Sequence, residues 1–259
     1  MNRNRKKVLI SVIVVFALIC VGACGFLVYK AVMTLKAKDD YMELVAAATA
    51  SNTEITKPSV NVDVTENPFD IAALEEENPD MYSWLYVPDT NISYPVLQSA
   101  DSDNFYLDHD YLKDYSFPGA IYSQSVNSKD WSDRVTVLYG HNMLDGSMFA
   151  HLHRFEDADY FNENPYFYIY TENRKLTYEI VSAFLYDDRH ILNSFDFSKD
   201  EVFKAWLEQA QNPRSVSANV NHGVQLNLNS KLVVLSTCPN YQAGRYLVQG
   251  VLIKDEPTQ

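Results

Sequence analysis

From Val8 to Tyr29 the chain carries no charged residue, and this run constrains every other reading of it. A helix needs roughly 20 apolar residues to cross a hydrocarbon core, so the run is long enough to span one. A cleaved signal peptide has a shorter apolar region of about 7–15 residues, which makes this segment an uncleaved anchor. Arg3, Arg5, Lys6 and Lys7 precede it. That basic start predicts a single-pass protein at the cell membrane, N-terminus inside and the bulk outside. Lys30, Lys36 and Lys38 weaken the bias without cancelling it. Val21-Gly22-Ala23-Cys24 loosely matches a lipoprotein cleavage box. The apolar run continues past Cys24, however, which favours Cys20 and Cys24 as small apolar residues of a spanning helix.

Beyond the anchor the chain is acidic. Residues 1–30 hold five of the 21 Lys+Arg and none of the 34 Asp+Glu, so the remainder has 16 basic residues against 34 acidic, a net charge of −18. Such a surface repels phosphate backbones, and no nucleic-acid partner is expected. Only 8 Gly are present, and no GxxxxGK[ST] or GxGxxG stretch occurs. Nucleotide chemistry is therefore unsupported. HExxH and CxxC patterns are missing too, so neither a metal nor another cofactor is predicted. Of three cysteines, two lie in the anchor, leaving Cys238 as the lone thiol of the exported part. An unpaired cysteine outside the cell is an oxidation liability, which invites either burial or a reactive role.

The chain divides into a tail over 1–7, the anchor over 8–29, a stalk or linker over 30–66 and an extracellular domain over 67–259. Ala31–Ala50 is rich in helix formers and can continue the anchor helix. Ser51–Asn67 is polar and reads as linker. Phe69, Ile71, Ala72 and Leu74 have helical spacing, stopped by Asn78-Pro79-Asp80. Beyond them the pattern is mainly β. Strands are predicted at 82–87, 92–97, 120–123, 134–139, 166–170, 176–186, 231–237 and 245–253. Helices are predicted at about 148–160 and at 200–210, the latter with Val202, Phe203, Trp206 and Leu207 as its apolar stripe. Many short strands with few helices predict a closed or partly closed barrel.

Three stretches at strand ends carry chemistry. An apolar strand runs into Tyr139-Gly140-His141-Asn142-Met143. Another runs through Leu235-Ser236-Thr237 into Cys238-Pro239. Gly244-Arg245 opens the last strand. A thiol, an imidazole and a guanidinium are the parts needed for acyl transfer, as nucleophile, proton carrier and oxyanion stabiliser. His109, His151, His153, His190 and His222 read as loop or supporting residues. His151 and His153 are spaced by two on a predicted helix, share no face, and do not make a metal pair.

Together these stretches resemble the sortase family, and most closely its class B members. Leu235-Ser236-Thr237-Cys238 is similar to the family's Thr-Leu-x-Thr-Cys signature, and Tyr139–Met143 to its histidine motif. Arg245 leads the strand after the cysteine as the family's arginine does. Asn78–Pro88, Tyr94–Gln98, Asp145–Phe149 and the helix before the cysteine strand also look like class B. The resemblance spans Asn67 to Ile253. It implies a closed eight-stranded barrel with peripheral helices, and Cys238, His141 and Arg245 as catalytic residues at one groove. The implied reaction is transpeptidation. A C-terminal sorting signal on an exported protein is cleaved, and the acyl-enzyme passes to the amine of a peptidoglycan precursor. Tyr139, Ser236 and Thr237, with Asn104 and Leu107, are the implied substrate-binding residues. Pro239 departs from the family, where an acidic residue is frequent, and the loop from Cys238 to Arg245 is short.

Two other readings use the same residues. A membrane-anchored cysteine hydrolase would need the same thiol and imidazole. A papain-like form is disfavoured, because there the cysteine precedes the histidine and opens a helix. A non-catalytic binding module would need no converging Cys, His and Arg.

Overall fold

The computed structural model describes residues 3–49, 66–240 and 243–258. The first helix, α1, runs unbroken from Arg3 to Thr49. Among the described residues it is the one helix long and apolar enough to cross a membrane. At 1.5 Å per residue, Val8–Tyr29 alone reaches about 33 Å. The end of α1 is no free stalk. Tyr41, Leu44 and Ala48 share one face and are buried within the main hydrophobic core. The Tyr41 hydroxyl donates to the Gly119 carbonyl at 3.2 Å, and the Tyr111 hydroxyl to the Asp40 carbonyl at 3.2 Å. The stretch expected as stalk therefore begins with a helix docked on the domain. Most of the polar linker, residues 50–65, lies outside the described residues.

The rest is strand-dominated, as β-branched and aromatic clusters favour. A short helix, α2 (Ile71–Glu77), is capped by Asp70, whose carboxylate accepts from the Ala73 N–H. The strands are β1 (Met81–Tyr86), β2 (Ser93–Leu97), β3 (Ile121–Tyr122), β4 (Val135–Tyr139), β5 (Tyr166–Tyr170), β6 (Arg174–Tyr186), β7 (Asn219–Val220), β8 (Leu232–Thr237) and β9 (Arg245–Pro257). Pairing runs β5-β1-β2-β3-β4-β8-β9-β6, and β6 pairs back onto β5. Eight strands thus close into a barrel, and β7 adds a two-residue flap to β6 outside the ring. Closure leaves none of the eight with an unpaired edge along its whole length.

Two cores result. The barrel interior holds Trp84, Leu97, Ile121, Leu138, Phe149, Phe167, Val233, Leu235 and Val248. The alternate residues Val137, Val234 and Leu247 point outward but are equally buried, beneath α5 (Asp200–Gln211). Phe203, Trp206, Leu207 and Ala210 are its buried stripe. Fully burying one such large side chain is worth about 1.5–3 kcal/mol. Burial on both faces explains why β4 and β8 read as continuous apolar runs rather than alternating ones.

All eight expected strands form, with boundaries moved by a few residues. β7 was not expected, and two residues carry little periodicity. The helix predicted over 148–160 is instead a 3₁₀ helix over Ala150–Glu156 followed by α3 (Ala158–Glu163). Asp157 causes the break, because it adopts an extended conformation and its carboxylate caps the Tyr160 N–H at 2.8 Å. A four-residue turn, α4 (Ile191–Ser194), has His190 as its N-cap.

Candidate active site

Register alone brings the three expected residues into one row. β4 and β8 run parallel with Tyr139 opposite Ser236. The Gly140 N–H still reaches the Ser236 carbonyl, and His141 and Cys238 follow just past the neighbouring ends of β4 and β8. β8 and β9 are antiparallel with Thr237 opposite Tyr246, so Cys238 faces Arg245 on its other side. The order across the barrel rim is His141, Cys238, Arg245.

Local chemistry fixes that row. The Thr237 hydroxyl donates to the Gly140 carbonyl at 2.8 Å, and the Gly140 N–H donates to the Ser236 carbonyl at 3.2 Å, tying the two strand ends together. A Cβ on Gly140 would lie 2.5 Å from the Ile121 side chain and 2.8 Å from the Phe149 ring, so only glycine fits. Phe149 N–H then returns to the His141 carbonyl at 2.9 Å, closing the histidine loop. Gly244 has φ +114°, and a Cβ there would sit 2.3 Å from the Tyr186 carbonyl oxygen. This glycine lets β9 enter against β6 and presents Arg245 at the rim.

Cys238 is exposed and unpaired. Its Sγ lies 3.1 Å from Arg245 Nη1, which donates to it. His141 Nε2 is 2.8 Å from the Leu107 carbonyl. A carbonyl only accepts, so Nε2 carries the proton and the lone pair of the neutral ring is on Nδ1. Among the described residues Nδ1 has no hydrogen-bond partner and is free to exchange a proton. The Phe117 ring stacks on His141 at 5.9 Å, and Lys30 Nζ, just past the apolar run, sits 3.7 Å from the Phe117 ring centroid. The histidine is thus two ring contacts from Lys30, at the end of the apolar run of α1.

Tyr139 and Tyr122 stack at 5.4 Å on the β3–β4 side of the row. Burial pushes the Tyr122 phenol up to about 12, against the pull of the Arg245 charge, and raises Tyr139 further. Both are neutral phenols at neutral pH. Of the five residues expected to touch substrate, Asn104 and Leu107 are exposed and Tyr139 is half-buried. Asn104 Oδ1 accepts from Gln124 Nε2 at 3.2 Å. Ser236 and Thr237 are buried, and the Thr237 hydroxyl is committed to Gly140. Leu107 contributes its backbone to His141 rather than its side chain alone.

Sequence reasoning passed over the support beneath Cys238. Asn142 Nδ2 lies 3.2 Å from the Cys238 carbonyl and 2.8 Å from Asn240 Oδ1. His153 Nε2 is 2.9 Å from the same Cys238 carbonyl, and its Nδ1 is 2.6 Å from Glu156 Oε1. The His153–Glu156 spacing of three was the available signal. His109, His151 and His190 bond to nearby main chain, as loop residues do. No metal-holding group of three or more His, Cys, Asp or Glu occurs among the described residues.

A sortase-domain family model matches residues 85–253. Sortase B of Listeria monocytogenes is 33% identical over 186 residues, covering 70% of this chain and 72% of the relative. Among solved structures, Clostridium perfringens sortase B aligns with TM-score 0.64 and 33% identity, over 71% of this chain and 99% of that one. Sortase B from Bacillus anthracis in complex with AAEK1 aligns with TM-score 0.68 and 26% identity, over 85% of this chain and 99% of that one.

Proposed function

The chain belongs to the sortase family, whose members are cysteine transpeptidases, and from that premise we propose that Cys238, His141 and Arg245 carry the reaction. The observation that carries the reading is the rim row itself, with the Cys238 thiol 3.1 Å from the Arg245 guanidinium and His141 one strand away. The Cys238 thiolate attacks the scissile carbonyl of a bound sorting signal, forming the S–C bond. Arg245 stabilises the oxyanion that develops. As the C–N bond breaks, the protonated His141 gives its proton to the leaving amine. A second amine then attacks the thioester. His141 takes its proton, and the thiolate leaves as the new amide forms. The Leu107 carbonyl holds the imidazole so that Nδ1 does this work.

Sortases act on sorting-signal proteins and cell-wall precursors in general. For this chain the finer reading is a signal that begins with Asn-Pro or a close variant, bound over Tyr139, Asn104 and Leu107. Ser236 and Thr237 hold the groove floor. The acceptor is a peptidoglycan cross-bridge amine. Val8–Tyr29 anchors the protein with its N-terminus inside. The Lys30–Phe117–His141 contact supports a groove held beside the outer face of that membrane, where wall precursors are presented.

The test uses the full chain in detergent, with Cys238→Ala alongside. Quenched sorting-signal peptides are supplied with and without oligoglycine or a diaminopimelate-like amine, and products are read by mass spectrometry. Amine-ligated product that requires Cys238 is expected. Hydrolysed peptide alone, across several amines, would turn the reading to a hydrolase.

A further inference from the structure

We propose that His153, set by Glu156, is a proton-dependent positioning residue that clamps the main chain of Cys238. This inference rests on Cys238 being the nucleophile. His153 stands in the 3₁₀ helix after the histidine loop, with a side chain only 9% exposed, and its ring lies 4.7 Å from the Tyr246 ring on β9. Both ring nitrogens meet acceptors. Nδ1 faces the Glu156 carboxylate at 2.6 Å and Nε2 faces the Cys238 carbonyl at 2.9 Å. A neutral imidazole carries one N–H, so it cannot donate to both; the imidazolium can.

The competing arrangement is equally definite. Asn142 Nδ2 lies 3.1 Å from His153 Nε2. If the ring is neutral with its proton on Nδ1, Nε2 accepts from Asn142. Its lone pair then opposes the Cys238 carbonyl lone pairs at 2.9 Å, a repulsive contact. With the ring protonated, Asn142 spends its two N–H groups on Asn240 Oδ1 and the Cys238 carbonyl, and His153 adds a second, charge-assisted donor to that carbonyl. The observed distances fit this form, since the carbonyl is the nearer partner of Nε2. One proton therefore decides whether the Cys238 carbonyl is gripped by two donors or faces a lone pair.

Few other charges bear on the ring. On its own helix, Glu156 is the carboxylate, Arg154 is exposed, and burial lowers His151 so that it stays neutral. From β9, Tyr246 is raised by burial and by Glu156 and stays neutral, while Arg245 is spent at the thiol. From β7, Asn219 binds the Phe155 and Glu156 carbonyls and carries no charge. Among the described residues Glu156 is the one carboxylate in contact with the His153 ring.

The clamp acts through the backbone that carries Sγ, so its loss shifts the thiol relative to Arg245. Displacements of about 1 Å at a reacting centre cost roughly 100-fold. Three variants of the full chain in detergent test it: His153→Ala, His153→Gln and Glu156→Gln. Their readouts are kcat and KM for peptide transfer and the pH profile of Cys238 alkylation by iodoacetamide, which needs no substrate. His153→Gln keeps an uncharged donor and is expected within about threefold of the parent, with one ionisation missing from its alkylation profile. His153→Ala is expected to lose roughly tenfold or more in kcat with KM within about twofold. Glu156→Gln is expected to move that ionisation to lower pH. Alkylation profiles of all three that superimpose on the parent's would overturn the proposal. Independently of folding in the variants, ¹⁵N-histidine labelling of the parent, followed with pH beside the alkylation profile, should show N–H protons on both His153 nitrogens in the form whose Cys238 is clamped. A single N–H on Nδ1 would also overturn it. An inert Cys238 with two N–H protons on His153 would sink the nucleophile reading instead and leave the clamp in place.

Discussion

Gly244→Ala is the substitution that asks most directly whether the chain's entry into β9 positions the site. Gly244 holds φ +114°, a conformation a residue with a Cβ adopts at a cost of about 1–3 kcal/mol. The added Cβ would also lie 2.3 Å from the Tyr186 carbonyl oxygen, which is backbone of the neighbouring strand and cannot swing aside. Relieving such an overlap costs about 1–3 kcal/mol more. With a mid-range total of about 4 kcal/mol and roughly 2–4 °C per kcal/mol for a domain of this size, Tm should fall by roughly 8–16 °C. Because relief must move β9 away from β6 at its first residue, Arg245 moves with it. The kcat for transfer should then drop by roughly 100-fold, with a smaller change in KM. Thermal unfolding by circular dichroism and steady-state peptide transfer measure the two effects on one preparation. Gly223→Ala is the control, since Gly223 is exposed with an ordinary φ, and its added Cβ would meet only the Asn221 side chain at 3.1 Å. A Gly244→Ala protein that melts with the parent and keeps its kcat would refute the claim that this turn sets the guanidinium in place.

Three further substitutions test other parts of the site and its frame. Arg245→Lys keeps the charge but loses the planar fork, and is expected to lower kcat by roughly 10²–10³ while the fold melts unchanged. Thr237→Val leaves the Gly140 carbonyl without its donor and should cost about 1–3 kcal/mol in denaturant unfolding, whereas Thr237→Ser, which keeps the hydroxyl, should recover most of that. Asp110 is raised by burial above the ordinary carboxylate range, so the fold favours its protonated form. Its contribution to stability is full below the unfolded value and is lost as pH rises through the folded value. Asp110→Asn keeps an acceptor oxygen for the Leu112 and Asp114 N–H groups, and should raise Tm at pH 7 by a margin that shrinks toward pH 4.

The legible parts of the molecule were those written in local pattern. An uncharged apolar run of this length reads as a helix long enough to cross a membrane, because a helix satisfies every backbone group within its own segment. Runs such as Val135–Tyr139 and Leu232–Thr237 had to be buried strands. Gly140 and Gly244 stood immediately before His141 and Arg245; the Ile121 and Phe149 side chains leave no room for a Cβ at Gly140, and the Tyr186 carbonyl leaves none at Gly244. Strand-end placement of Cys238, His141 and Arg245 followed from sequence.

Contacts between distant segments were decided only by the closed barrel. Parallel pairing of β4 with β8 across nearly a hundred residues turns three scattered residues into one row, and no local periodicity encodes that register. Tyr41 and Leu44 looked like stalk because an amphipathic helix does not announce the surface it covers. His153 looked like a spare loop histidine until folding set its two nitrogens between Glu156 and the Cys238 carbonyl. Sequence alone determined which elements form and which residues can do chemistry, since propensity and burial act locally. Tertiary structure decided which of them meet, since hydrogen-bond partners and charge neighbours are chosen by chain closure over long distances.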